Sequence, residues 1–132
     1  MKALTLHPLM AWAVIHGGKN VENRSWPTHH RGTLAIHASA NEDPDTMAEF
    51  IDYLEGMGVE IPEEIEVSAI IGTVELVRIS EPPRDDAGPW ADPGSQYHWH
   101  LEDAKPCKSV EIKGALRLWE VPSNVKIETV KR

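Results

Sequence analysis

Residues 17–24 read GGKNVENR, and this stretch joins a predicted helix to a predicted strand. The two glycines end the helix, because glycine readily adopts the left-handed conformation found at helix C-termini. In the strand that follows, side chains alternate between faces, so Glu22 and Arg24 share one face. Lys19 lies at the turn, where its flexible stem can reach the same face. The stretch therefore predicts three charged side chains gathered where a helix meets a strand.

Short apolar segments on both sides of this stretch predict several strands and two helices. Pro8 suits the first turn of a helix, and the residues after it are apolar nearly all round, which predicts burial. Strands and helices do not alternate regularly, so we expect an α+β fold with a mixed β-barrel rather than a parallel sheet. The predicted strands are Lys2–Leu6, Asn20–Trp26, Thr33–Ala38, Val67–Ile79 (within Glu66–Ser80), Tyr97–Leu101 and Ala115–Val121. The predicted helices run from Pro8 to about His16 and from Asp43 to Gly56 or Gly58.

The totals fit one ordinary globular domain spanning residues 1–132. A single cysteine, Cys107, excludes a disulfide framework and a cysteine-rich zinc site, and it fits a reducing compartment. No segment is typical of a signal peptide or a membrane span. We therefore expect a cytoplasmic protein with no membrane partner, whose oligomeric state the sequence leaves open.

The net charge of −8 is unevenly distributed. Residues 42–66 carry ten carboxylates and no lysine or arginine, which is typical of a solvated helix face and loop. Residues 1–40 carry four lysines and arginines against Glu22 alone. A small positive pocket within an acidic protein is consistent with this pattern. Tight binding of generic RNA is not expected, because proteins that grip phosphates usually present a basic surface.

The stretch GGKNVENR resembles the motif of the ASCH family, which reads glycine, any residue, lysine, two residues, glutamate, one residue, arginine. The resemblance implies a PUA-like β-barrel with a cleft, and it places the motif on the cleft floor. Further matching segments follow in order along most of the chain, at residues 25–27, 31–38, 71–75 and 114–119.

The resemblance also implies candidate functions. Some ASCH proteins are amidohydrolases that remove an acyl group from the exocyclic nitrogen of cytidine, others are linked to RNA cleavage, and the fold is similar to RNA-binding PUA domains. An acidic protein does not repel a small uncharged nucleoside, so we favour an amidohydrolase acting on acylcytidine. The alternatives are an RNA-binding or modified-base-reading module and a ribonuclease. In the short amidohydrolases that this chain resembles, a threonine stands where this chain has Glu22, so attack by water is more natural here than a covalent route.

Within this hypothesis each charged residue has a candidate role. Lys19 would stabilise the oxyanion that develops during amide hydrolysis. Glu22 or Glu75 would carry the proton between water and the leaving amine, and Arg24 would hold the glutamate or a ring carbonyl. Spacing alone does not distinguish this site from a surface ion-pair cluster. It also does not decide whether Glu75 faces the cleft or the outside of the sheet.

Aromatic residues near predicted loops are candidates for stacking on a base. Trp26, Tyr97 and Trp99 are the substrate-binding candidates beside Arg24. Trp90 lies in a proline-rich loop at Glu81–Ser95, and loops of this length tend to be functional or mobile. Trp12 and Trp119 are predicted to belong to the core.

Histidines offer a metal-binding alternative, since His98 and His100 share a strand face around Trp99. Their spacing matches no zinc motif, so we expect neither a metal nor a cofactor. The expected ligand is a small nucleoside, with RNA as the alternative.

Overall fold

A curled six-stranded sheet and two helices make up the computed structural model, which describes residues 1–82 and 86–130. The strand order is β2-β5-β4-β3-β1-β6, and only β1 and β3 are parallel. This arrangement confirms the predicted α+β class with mixed strands. The elements are β1 Lys2–Leu6, α1 Pro8–His16, β2 Val21–Arg24, β3 Gly32–Ala38, α2 Pro44–Gly56, β4 Ala69–Ser80, β5 Tyr97–Glu111 and β6 Leu118–Glu120.

The curl of the sheet brings distant strands together. Three strands separate β2 from β1 in the sheet, yet Arg24 Nη2 on β2 lies 3.4 Å from the carbonyl oxygen of Thr5 on β1. Helix α1 packs on this sheet and buries Ala11, Val14 and Ile15 in the main core cluster. Helix α1 is apolar on all sides because the sheet covers one side and α2 covers the other.

The end of α1 sets the position of Lys19. The backbone N–H groups of Gly17 and Lys19 both donate to the carbonyl of Ala13, at 2.9 and 3.1 Å. Gly18 takes the left-handed conformation with φ of 78°, which a residue with a Cβ rarely adopts. The chain therefore turns sharply at the predicted glycine pair and enters β2 two residues after Lys19.

Strand β5 is much longer than predicted, because it continues past Leu101 to Glu111. Residues 102–111 are mostly polar and contain Pro106, so they lack the apolar alternation of a strand. Three register shifts between β4 and β5 accommodate this irregular sequence, and Asp103 has a positive φ of 54°. Pairing with the apolar strand β4 imposes the extended conformation here.

Helix α2 begins at the predicted acidic start. Asp43 caps it, since its carboxylate accepts a hydrogen bond from the N–H of Thr46 at 2.9 Å. Leu54 is its one fully buried side chain. All ten carboxylates of residues 42–66 are exposed, four of them on α2 and six in the segments that flank it, so the acidic stretch is a solvated helix face and loop, as predicted.

Cys107 lies in a second core cluster, where its thiol faces the carbonyl oxygen of Ile70 at 3.8 Å. Burial, with a smaller contribution from Glu66, raises the pKa of this thiol to about 11. At pH 8 the thiolate fraction is therefore about 100-fold smaller than for a thiol of pKa near 9.

We expect the folded protein to react with a disulfide reagent such as DTNB at least about 100-fold more slowly than the urea-unfolded protein. Native and unfolded rates within threefold of each other would contradict this burial.

Candidate functional site

Lys19, Glu22 and Arg24 line a cavity of about 710 Å³. Its walls come from the start of α1, from strand β2, from helix α2 and from residues 89–93 of the proline-rich loop. Lys19 also borders a second cavity of about 650 Å³ beside β5. Glu22 and Arg24 line the first of these two cavities and not the second, so we take the first as the candidate site.

The three charged side chains form one cluster around the Glu22 carboxylate. Lys19 Nζ donates to Glu22 Oε1 at 3.1 Å and to the carbonyl oxygen of Val21 at 2.6 Å. Arg24 Nε lies 3.4 Å from Glu22 Oε2, which is an ion-pair distance without hydrogen-bond geometry. Lys19 is only 3% exposed and Glu22 only 7%. Each oxygen of a buried carboxylate thus faces its own cation.

A buried ion pair is in general weak evidence for a stabilising role. Moving charges out of water costs several kcal/mol per ion, and a well-packed apolar replacement of a buried ion pair is often neutral or stabilising. Removing one partner, in contrast, leaves an uncompensated buried charge. Burial of ionic groups in a cavity wall is characteristic of ligand sites, where a few polar groups fix the orientation of the ligand.

Asn23 fastens the proline-rich loop to the edge of β2. Its Nδ2 donates to the carbonyl oxygen of Trp90 at 3.1 Å, and its Oδ1 accepts from the N–H of Asp92 at 2.8 Å. Trp90 is 9% exposed and packs among the side chains between the helices. Residues 89–93 of the proline-rich loop therefore form one wall of the cavity, whereas residues 83–85 of the predicted loop lie outside the described residues.

His7 lines the same cavity, and sequence analysis did not identify it. Its Nδ1 accepts from the N–H of Leu9 at 3.1 Å, so Nε2 carries the proton in the neutral ring. Burial lowers the pKa of His7, against the opposing effect of Glu42 and Asp43. The buried Nε2 has no hydrogen-bond partner among the residues described. A histidine directly before the first proline of a helix is the one sequence signal that could have indicated this cap.

Two predicted site residues lie elsewhere. Glu75 does not line the cavity and accepts a hydrogen bond from Thr33 Oγ1 at 2.8 Å. Val74 and Leu76 are buried in the core, so alternation places Glu75 on the outer face. The prediction that Trp99 contacts substrate is wrong, because this side chain is fully buried in the core and donates through Nε1 to the carbonyl oxygen of Trp26 at 3.1 Å.

Trp26 and Tyr97 lie beside the cavity rather than in it. Both line a separate hollow together with Ser95, whose hydroxyl contacts the carbonyl oxygens of Arg24 and Tyr97. Trp26 is also close to Arg24, whose Cζ lies 5.6 Å from the ring centroid. Trp26 therefore borders the candidate site through Arg24, whereas Tyr97 does not.

The histidines considered for metal binding make other contacts. His98 donates from Nε2 to the carbonyl oxygen of Asp92 at 2.7 Å, and His100 Nε2 lies 2.6 Å from Ser80 Oγ. Within residues 1–82 and 86–130, no group of three histidine, cysteine or carboxylate side chains is placed to hold a metal ion. Across the same residues, none of the helices is both long and apolar enough to cross a membrane.

The two hydrogen bonds of Asn23 give a test of the cavity wall. We expect Asn23→Ala to lower the free energy of unfolding by about 1–2 kcal/mol, because two backbone groups lose their partners. The amide hydrogen of Asp92 should exchange with solvent faster, by the factor in rate that corresponds to this loss of free energy, as measured by NMR. Asn124→Ala is the matched control, because Asn124 is exposed and its side chain makes no hydrogen bond to the described residues. Unchanged exchange at Asp92 would show that Asn23 does not hold the loop.

Comparisons with known proteins agree with this geometry. The profile described as the ASCH domain matches residues 4–113. The chain is 29% identical to human activating signal cointegrator 1 and 28% identical to the mouse protein, over 130 residues and 92% of this chain. It spans only 22% of the length of these two relatives.

Solved structures give the same result for the fold. Crystal structures of two mutant forms of ZmASCH from Zymomonas mobilis superpose with TM-scores of 0.58 and 0.56. They cover 92% of this chain and 90% and 88% of those chains, at 15% and 16% identity. At this level of identity the likeness concerns the fold, which is the PUA-like α+β fold. Together with the profile match across most of its length, this shows that the chain belongs to the ASCH domain family.

Proposed function

We propose that this protein is an amidohydrolase that removes an acyl group from the exocyclic N4 of a cytidine-type nucleoside. The observation that carries the proposal is the buried pair of Lys19 and Glu22 in the cavity wall, with 3.1 Å between Nζ and Oε1. Amide hydrolysis needs a cation for the developing oxyanion and a carboxylate for the proton, and this pair supplies both. A cavity of about 710 Å³ falls within the range for small-molecule sites.

The reaction begins with a water molecule beside Glu22. The water oxygen attacks the acyl carbon, and Glu22 takes the proton that the water loses. Lys19 has three N–H donors, of which two have acceptors in Val21 and Glu22, so the third is available to the oxyanion within the described part of the site. The bond from the acyl carbon to N4 then breaks, and Glu22 returns the proton to N4. The products are the free nucleoside and a carboxylic acid.

The rest of the cavity suits a flat ligand that carries few charges. Phe50 and Tyr53 contribute aromatic side chains to the wall. Burial, together with the nearby carboxylates of Asp92 and Glu22, raises the pKa of the Tyr53 hydroxyl, so it stays a neutral hydrogen-bond donor at pH 7. Glu49 and Asp92 also line the cavity, and their charges disfavour a chain of phosphates. A base-sized amide therefore fits this cavity better than generic RNA.

A module that reads a modified base in RNA is the second candidate. The cations on both oxygens of Glu22 favour it, because they also make a rigid clamp that could hold a base without turnover. The presence of Glu22 where the short amidohydrolases have a threonine also favours the reader.

We further propose a cytoplasmic location, which agrees with the free, buried thiol of Cys107.

Turnover of N4-acetylcytidine tests the enzyme proposal. We expect the purified protein to release free cytidine, followed by absorbance, and Lys19→Ala to lower kcat by about 10²–10³ with a smaller effect on KM. Glu22→Gln keeps the shape and removes the base, so it should be nearly inactive. Glu75→Gln makes the same chemical change on the outer face of the sheet and should keep wild-type activity.

Each variant must first be shown to be folded by circular dichroism and thermal melting, because a buried ion pair can matter for stability alone. Wild-type turnover by Lys19→Ala would refute the catalytic role of this cluster. Loss of activity in Glu75→Gln with activity retained in Glu22→Gln would reassign the proton carrier. Binding of N4-acetylcytidine without turnover by the wild-type protein would instead support the reader.

A further inference from the structure

Trp26 gathers two guanidinium groups at a hollow that adjoins the cavity. The Cζ atoms of Arg24 and Arg117 lie over its ring, 5.6 and 5.0 Å from the centroid. The hollow has a volume of about 310 Å³ and is lined by Thr5, Arg24, Trp26, Ala115, Leu116 and Arg117. Thr5 and Arg24 line both the hollow and the large cavity. A ligand bound in the cavity can therefore extend into the hollow.

Arg117 is held over Trp26 in an unfavourable backbone conformation. Its φ of 59° lies in the left-handed region, which residues with a Cβ rarely adopt. The preceding residue, Leu116, is 92% exposed, so burial of this turn does not explain the conformation. Such outliers concentrate at ligand sites, where the surrounding structure keeps a side chain in place. Here the conformation keeps a guanidinium group beside the candidate site.

The N–H donors of the Arg117 guanidinium are available to a ligand. It forms no hydrogen bond or ion pair with any residue in the ranges 1–82 and 86–130. An arginine stacked on an aromatic ring keeps its N–H edges available, and those edges match the oxygens of a phosphate. Arg24 faces Glu22 through Nε, which leaves its terminal nitrogens, one of them near the carbonyl of Thr5, at the hollow.

The local charge of the hollow contrasts with that of the protein. The chain has a net charge of −8, yet the hollow is lined by two arginines and no carboxylate. Among the carboxylates nearby, Glu22 is paired with Lys19 and Arg24, and Glu81 lines the separate hollow on the Tyr97 side of Trp26. An anionic group is therefore favoured here, and nowhere along the Glu49 and Asp92 side of the cavity.

We propose that Arg24 and Arg117 form a phosphate subsite, so that the preferred ligand is a nucleoside monophosphate rather than a free nucleoside. This inference rests on the proposed function, because a base held in the cavity is what brings its phosphate to the hollow. A single phosphate matches the pair of arginines. The net charge of −8 on the protein disfavours a longer chain of phosphates, which is why the ligand is a mononucleotide.

Calorimetric titration compares the two ligand forms directly. The ligands are N4-acetylcytidine, its 5′- and 3′-monophosphates and a short single-stranded RNA. The proteins are Glu22→Gln, in which hydrolysis during the titration is negligible, and the same variant combined with Arg117→Gln or with Lys126→Gln. We expect the better of the two monophosphates to bind the Glu22→Gln protein at least about tenfold more tightly than the nucleoside. Arg117→Gln should abolish that preference and leave nucleoside affinity unchanged. Lys126→Gln removes one exposed positive charge that lines none of these cavities and should preserve the preference.

The remaining outcomes separate the subsite from the base cavity. Equal affinity for nucleoside and monophosphates would refute the phosphate subsite and leave the proposed function intact. Equal weakening of all ligands by Arg117→Gln would assign Arg117 to the support of Trp26 and also refute the subsite. Absence of binding by nucleoside and monophosphates alike would refute both proposals. RNA binding that is much tighter than mononucleotide binding would overturn the mononucleotide assignment.

Discussion

The ion pairing of Glu22 is the interaction around which the candidate site is arranged. A carboxylate that is only 7% exposed needs compensating charge, and Lys19 and Arg24 supply it on its two oxygens. Lys19 can reach Glu22 only because the chain leaves α1 through a left-handed glycine and enters β2 directly. Arg24 can reach it because alternation returns the side chain to the same face two residues later. The backbone conformation of this turn and strand thus sets the positions of the charged side chains in the cluster.

The surrounding elements enclose a cavity beside that cluster. The sheet curls until Arg24 on one edge strand lies near Thr5, although three strands separate the two in the sheet. Helix α2 and the loop held by Asn23 form the remaining walls. The same curl brings the turn that carries Arg117 to Trp26. A base site and a smaller cationic hollow therefore share a boundary at Arg24, and the acidic surface of α2 limits which anions can approach.

Local spacing was a sound guide to the cluster, because the residues from 17 to 24 interact with one another and the turn and strand periods fix their directions. Residues that depend on tertiary packing were harder to predict. Alternation separated Glu75 from Val74 but did not say which face of β4 met the core. The sequence predicts Trp99 near the ligand, yet its ring is fully buried in the main core cluster. Strand β5 past Leu101 and the cap at His7 gave no periodic signal, since the first is imposed by pairing with β4 and the second by a single hydrogen bond.

The central claim is that the buried cluster is maintained for ligand chemistry and not for stability. Its most direct test is the free energy of unfolding of the double variant Lys19→Met/Glu22→Gln, measured by urea denaturation beside the wild-type protein. Both charges of the Lys19–Glu22 pair are removed together, while the side chain of Arg24 is 24% exposed and keeps its contact with the carbonyl oxygen of Thr5 through Nη2. If the claim holds, the double variant is as stable as the wild-type protein or more stable, since apolar or neutral replacement of a buried ion pair removes its desolvation cost. A loss of about 3 kcal/mol or more in the double variant would contradict the claim and would make the cluster a structural element of the fold.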